Sequence, residues 1–240
     1  SVEWINPPDS NNPNGTSEFQ INAGVRTRGG FSRSTDNPKH AFHLYFREDY
    51  GNAKLVYPLF GRHGAQDFDR IDLRTAQNYS WSFGGDGRNT FLREEASRVA
   101  QIDMGQQGSR VRYVHLYLNG VYWGLFNLDE RTEAAFSASY FGGNKDDYDT
   151  VKCEQDSGYT TGVTDGNLSA WQELWNQSRA HAASPNNTNY FRMMGLAADG
   201  VTPTADPVLL DPDNLIDYLM VTFWTGNLDG CTSAFLGNDV

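Results

Sequence analysis

The sequence lacks the motifs that name a chemistry by themselves. It has no His-Glu-X-X-His, no paired Cys-X-X-Cys, no Gly-X-Ser-X-Gly and no Walker loop. No apolar run approaches the ~20 residues needed to cross a bilayer. The start, Ser1-Val2-Glu3-Trp4-Ile5-Asn6-Pro7-Pro8, has neither the basic region nor the apolar stretch of a signal peptide. Basic residues are outnumbered, with 19 Lys and Arg against 30 Asp and Glu for a net charge of −11, which argues against a partner that is a nucleic-acid polymer. A small anion held by a local cluster of Arg or Lys is still compatible with that balance. Two cysteines, Cys153 and Cys231, permit one disulfide and specify none. Little lysine beside abundant Asn, Gly and aromatic residues suits an extracellular or cell-surface protein, and the two ends read as those of an excised fragment.

The histidines are as uninformative as the missing motifs. Of His40, His43, His63, His115 and His181 only the first two are close in sequence, and on a strand they fall on opposite faces, so they do not converge on one metal ion. The acidic run Asp146-Asp147-Tyr148-Asp149 lacks the ligand spacing of a calcium loop and reads as solvated.

What is present is the composition of a folded domain, 38% hydrophobic and 13% aromatic, in a chain of 240 residues. Its most legible stretch runs from Arg110 to Arg131. Val111, Tyr113, His115 and Tyr117 alternate with Arg112, Val114, Leu116 and Leu118. Asn119-Gly120 then supplies the positive φ angles of a two-residue hairpin turn, and a return strand ends near Leu128. A short helix over 132–140 follows, stopped by Gly142-Gly143.

Upstream, residues 1–18 read as a leader loop rich in Pro, Asn, Ser and Gly. Strands are expected over 19–28 and 39–46, separated by Gly29-Gly30 and a polar loop. Such a glycine pair is an ordinary turn signal, and a Lys at the next strand's start is ordinarily a solvated edge charge; together they could also embrace phosphate. Leu92, Ala96, Val99 and Ala100 mark a helix over 91–100 with Asn89 or Thr90 as cap. Its Glu94 and Glu95 read either as a solvated face or as ion-pair partners for Lys39. Downstream, a strand is expected over 148–153, a helix on Leu168, Trp171, Leu174 and Trp175 with its aromatics in the core, and loops over 181–189 and 199–208. The best-punctuated helix has Asp211 as cap, Pro212 first, Leu215/Ile216, Leu219/Met220 and Phe223 as buried stripe, and Gly226 as stop. It places Asn227-Leu228-Asp229 in a loop behind a rigid element, a position suited to a catalytic carboxylate.

These parts form one constellation: a glycine-bearing loop, a Lys-led strand, an acidic helix, a hairpin with a polar exit, and an Asp behind a helix. In that order they are the parts of a phosphoryl-transfer site, where catalysis is mainly positioning and charge stabilisation. The chain resembles the spore coat protein H (CotH) kinase family, an atypical branch of the protein-kinase-like fold. The resemblance rests on Arg28-Gly29-Gly30-Phe31-Ser32, Lys39-His40-Ala41-Phe42-His43-Leu44-Tyr45-Phe46, Leu73-Arg74, the hairpin from Val114 to Phe126, Glu130, and Gly226-Asn227-Leu228-Asp229.

It implies an α+β, two-lobed fold: an antiparallel-sheet N-lobe over 19–128 that holds the nucleotide, and a partial, mainly helical C-lobe over 129–240. It implies ATP and Mg²⁺ as cofactors and a protein acceptor carrying Ser or Thr, on the surface of a bacterial cell or spore coat. Carried over by residue, Arg28, Gly29, Gly30, Ser32 and Lys39 would meet the phosphates, and Lys39 would pair with Glu94 or Glu95. Leu128 and Glu130 would bracket a hinge to adenine, and Asp229 would orient or deprotonate the acceptor hydroxyl. The family's further metal-binding Asp lies beyond the position matching Val240, so the chain resembles a C-terminally truncated member. Gly30 also stands where the family's loop has Asn.

Overall fold

The computed structural model describes residues 1–11, 13–77, 80, 83–154 and 160–227. It is α+β, with antiparallel sheets and, among the described residues, five α-helices. No helix in that range is long and apolar enough to cross a membrane. The chain divides into two compact units, Ser1–Glu95 with Ser109–Gly142, and Ala96–Gly108 with Gly143–Val240.

The first unit is built on five strands: β3 (Gly24–Arg28), β4 (Ala41–Tyr45), β7 (Arg70–Arg74), β8 (Val111–Leu118) and β9 (Val121–Glu130), in the order β3-β4-β7-β9-β8 and antiparallel throughout. The hairpin turn forms as the sequence implies, with φ of 51° at Asn119 and 81° at Gly120. The return strand continues to Glu130, paired with β7 through Asp72↔Asp129 and Ile71↔Glu130, and both carboxylate residues are buried, at 1% and 3% exposure.

Period-two alternation gives the sheet two unlike faces. Phe42, Leu73 and Leu128 are register neighbours on one face, with Leu44 beside Ile71. They pack with Phe46, Leu59 and Phe126, which are essentially sealed from solvent, into the hydrophobic core. The opposite face carries His43, Asp72 and Asp129 in one row and Arg74 and Asn127 in the next.

Two expectations for the first residues fail. The leader is not a loop: β1 (Val2–Asn6) pairs with β2 (Thr16–Ile21), and the Pro- and Gly-rich stretch is the connection between them. The inward side chains of β1, Val2 and Trp4, pack on the core. The single strand expected over 19–28 is two strands, because the chain leaves β1's partner at Ile21 and re-enters at Gly24 to pair with β4. A two-residue pair, β5 (Leu55–Val56) with β6 (Asp67–Phe68), and α2 (Ala134–Phe141) complete this unit.

Helix α1 (Arg93–Asp103) starts later than expected, after Phe91 takes a left-handed φ of 61°. Its orientation reverses the expected amphipathicity. Leu92 and Val99 are 54% and 45% exposed, whereas Glu94 and Glu95 are half-buried.

In the second unit, β10 (Thr150–Glu154) pairs with β11 (Thr160–Asp165), a partner that sequence reading missed. Helices α3 (Ser169–Ala183), α4 (Asn187–Arg192) and α5 (Pro212–Trp224) follow, so the loop expected over 181–189 is largely helical. The punctuation of α5 is as expected: Asp211 accepts from the Asn214 amide at 3.0 Å, and Pro212 opens the helix. Its apolar stripe is not buried, since Leu215, Ile216 and Phe223 are 41, 53 and 69% exposed. The α3 aromatics are likewise outside the core, with Trp171 and Trp175 43 and 51% exposed. Helical spacing defines a stripe but not the element that covers it. Cys153 is an exposed thiol, and Cys231 lies outside the described residues.

Candidate functional site

The polar face of the five-stranded sheet gathers most of the residues that carry chemistry. Arg70, Asp72 and Arg74 alternate with Ile71 and Leu73 along β7, so one strand gives its apolar residues to the core and three charges to the other face. Helix α1 begins nineteen residues after that strand and brings Glu94 back to it: Arg74 Nη1 lies 2.5 Å from Glu94 Oε1, each side chain 31% exposed. Arg74 Nε also lies 3.7 Å from Asp129, whose side chain is 1% exposed. Glu95 approaches Tyr113 of β8, and burial together with that carboxylate raises the phenol to about 12.

Lys39 does not meet the helix acids. Its Nζ donates to the Leu125 carbonyl at 2.6 Å and lies over the rings of Phe126 and Phe91, 4.8 and 5.3 Å from their centroids. Partial burial pulls its pKa below the ordinary lysine range. Gly124, at φ 126°, makes room for the lysine stem: a Cβ there would stand 3.3 Å from Lys39 Cε. The predicted partner exists, but the cation it holds comes from β7 rather than from the strand that Lys39 leads. Leu73-Arg74 belongs to the stretches that carry the family resemblance, and the alternation of Arg70, Asp72 and Arg74 was the signal for its role.

The loop after β3 behaves as its glycines suggest. Gly29 has φ of 104°, an angle that favours glycine, and a Cβ there would stand 1.8 Å from Ser32 Oγ, which would have to rotate away. Ser32 Oγ closes on the Arg28 carbonyl at 3.4 Å, and the Arg33 amide donates to the Gly30 carbonyl at 3.1 Å. Arg28 itself turns onto the polar face, its Nε donating to Asp72 Oδ2 at 2.8 Å. His43 bonds to the other oxygen of Asp72, and Arg131 Nη1 reaches Oδ2 at 3.2 Å. Burial alone would raise the Asp72 pKa, but the His43 hydrogen bond and the charges of Arg28, His43 and Arg131 outweigh it and hold the carboxyl below its usual range.

The expected hinge residues have structural work instead. Leu128 is 3% exposed and belongs to the core, in a strand paired on both edges. Glu130 accepts from the amides of Ala65 at 3.2 Å and Arg110 at 2.7 Å, and from the Tyr140 hydroxyl at 2.5 Å. Its own amide donates to the Arg110 carbonyl, and its carbonyl accepts from Ser109 Oγ. With both main-chain groups engaged, Glu130 has none left to read an adenine edge. Asp229, the expected catalytic carboxylate, lies outside the described residues.

Among the described residues no group of three His, Cys, Asp or Glu side chains converges as metal ligands would. Arg28 and Arg74 lie on the polar face, held by Asp72 and Glu94, whereas Lys39 Nζ lies against Phe126 of the core. A protein-family model described as CotH kinase protein matches residues 25–239. No curated protein matches the chain.

Proposed function

The chain belongs to the CotH kinase family, and we propose that it is a phosphotransferase that moves the γ-phosphoryl group of ATP to a Ser or Thr hydroxyl of a surface or coat protein. The observation that carries this reading is the Arg74–Glu94 ion pair. A cation on a central strand is held by an acid in the first turn of the next helix, the device by which protein kinases place a charge against nucleotide phosphates. Here the cation is Arg, whose planar fork presents donors beyond those Glu94 engages.

In this reading Arg74 binds and orients the phosphates, and the Gly29 turn lets the backbone approach them. The two lobes of the family fold would correspond to the two compact units. ATP supplies the transferred group, and Mg²⁺ would accompany its phosphates to neutralise developing charge. Asp229 would take the acceptor hydroxyl's proton.

Intact-mass measurement of the chain with ATP, Mg²⁺ and a Ser/Thr-rich acceptor tests this directly. A phosphoryl addition to the acceptor that disappears in Asp229→Asn and Arg74→Ala is the expected result. A nucleotidyl adduct would redirect the chemistry to another ATP-dependent transfer. No adduct, with no thermal stabilisation by ATP, would overturn the enzyme reading.

One observation favours a noncatalytic surface-assembly or carbohydrate-binding module as the second reading. Tyr117, Tyr122 and Trp123 at the hairpin tip are 60, 51 and 45% exposed. Oligosaccharide binding that is lost in Trp123→Ala and indifferent to ATP would be its signature.

A further inference from the structure

One cluster on the polar face has donors that neither the fold nor the Arg74–Glu94 pair uses. We propose that Arg28, Arg131 and His43, with Arg26 at the rim, form an oxyanion site that takes a phosphoryl group.

The argument begins with the donor inventory. A guanidinium has five N–H donors in a fixed fork. Arg28 commits only Nε, to Asp72, which leaves both Nη groups uncommitted. Arg131 gives Nε to Glu133 at 2.5 Å and Nη1 to Asp72, leaving Nη2. Arg26 is exposed, faces His43 across the β3–β4 pair, and has no partner among the described residues.

Convergence is the second step. Arg28 Nε and Arg131 Nη1 meet on the same carboxylate oxygen, at 2.8 and 3.2 Å, and Arg131 Nη1 also lies 3.3 and 3.4 Å from the two ring nitrogens of His43. Two guanidiniums on one oxygen repel each other, and a second negative charge above them relieves that repulsion. The acids lie beneath, with Asp72 and Glu133 side chains 4% and 8% exposed, while Arg28 and Arg131 are 25% and 23% exposed. The buried carboxylates thus fix the forks, and what the surface presents is donors. A phosphoryl dianion suits this arrangement because forked N–H groups match its oxygens and its charge exceeds what one more carboxylate would bring.

The inference does not depend on group transfer. Asp72 and Arg74 are two residues apart on β7, about 7 Å along the strand, so the phosphoryl group could be part of a nucleotide held at Arg74 or a free phosphate. Calorimetric titration of the full chain with inorganic phosphate, and then with ATP without metal, separates these. Saturable phosphate binding is expected, weakened by about tenfold or more in Arg28→Gln and in Arg131→Lys, and unchanged in Arg192→Gln, which alters a surface arginine of the other unit. Arg28→Gln breaks a single side-chain bond, that to Asp72, and decides the matter if Arg131→Lys fails to fold by circular dichroism. If saturating phosphate weakens ATP binding, the nucleotide is the source; if ATP binds unchanged, the site serves a separate phosphate. No saturable binding to the folded wild-type chain, or wild-type affinity in Arg28→Gln, would overturn the proposal. The heat of anion binding and the covalent adduct of the transfer assay are independent readouts, so failure of either is recognisable by itself.

Discussion

Two buried carboxylates of the first unit, Glu130 and Asp72, answer the same problem in different ways. Both are 3% exposed, on strands that lie side by side in one sheet. Glu130 is met by two backbone amides and a tyrosine hydroxyl, donors that belong to the 65 loop, the start of β8 and α2. It ties three elements together through donors that it uses up, with the Arg110 guanidinium standing farther off, Nη1 at 3.8 Å. Asp72 is met by His43, Arg28 and Arg131, side chains with further donors directed away from it. Burial of a charge therefore does not mark a functional site by itself. The distinguishing feature is whether the partners are exhausted by the carboxylate or only oriented by it.

The largest expected effect tests the first half of that contrast. Glu130→Ala strands two amides and a hydroxyl in a sealed region, and a loss of about 3–5 kcal/mol is expected in urea unfolding. A loss below about 1 kcal/mol would show that water replaces the carboxylate and that the knot is not structural. Arg74→Ala tests the opposite case. Its pair with Glu94 is nearly a third exposed and contributes no more than about 1 kcal/mol; losing the guanidinium beside the sealed Asp129 carboxylate adds to that, so Arg74→Lys, which keeps the charge, is measured alongside. Transfer of phosphate, if Arg74 acts as proposed, should fall about 10²–10³-fold, the effect of removing one preorganised donor from a developing charge. Equal losses of stability and activity would make Arg74 another structural residue.

A smaller effect is expected at the loop that follows β3. Gly29→Ala forces a side chain onto a φ of 104° and into Ser32, and should cost about 1–3 kcal/mol. Adding Ser32→Ala removes the collision but not the backbone angle, so only part of the loss should return. Full rescue would show that space alone, and not the turn, selects glycine there.

How much of this was legible in the sequence follows from what each signal encodes. Alternation and Asn119-Gly120 are local, and the central hairpin was readable almost to the residue. The Gly29 turn and the caps of α5 were readable for the same reason. Pairing partners are not local. Glu94 was singled out, yet Lys39 was its expected partner, because sequence order does not say which of two neighbouring strands faces the helix. Leu128 and Glu130 were read as ligand contacts because the run of charge after them resembles a surface exit. In the fold Glu130 is covered by α2, just downstream of it, and by the 65 loop, which lies far from it in sequence. The exposed stripes of α3 and α5 have the same origin, since period fixes a face and tertiary packing fixes its burial.

The smallest effect separates the two carboxylates by pH. The Tyr140 hydroxyl on Glu130 is raised above the ordinary tyrosine range, by burial first and then by the carboxylate. A raised folded pKa contributes stability that is complete below the unfolded value, about 10, and is lost as pH climbs beyond it. Asp72 is shifted the other way, against the penalty of its burial, by His43, Arg28 and Arg131. A depressed folded pKa contributes stability that is complete above the unfolded value, about 3.9, and is lost as pH falls below it. Other groups also titrate in these windows, so each contribution is read as a difference between variant and wild type. Tyr140→Phe should flatten the alkaline limb of a urea-midpoint profile and leave the acid limb alone, and Asp72→Asn should do the reverse. If Tyr140→Phe left the alkaline limb as steep as in wild type, Glu130 would not be held through that hydroxyl. If Asp72→Asn kept the acid limb, the three cations would be positioned by something other than this carboxylate, and the distinction between an exhausted knot and an orienting one would fail at its second member.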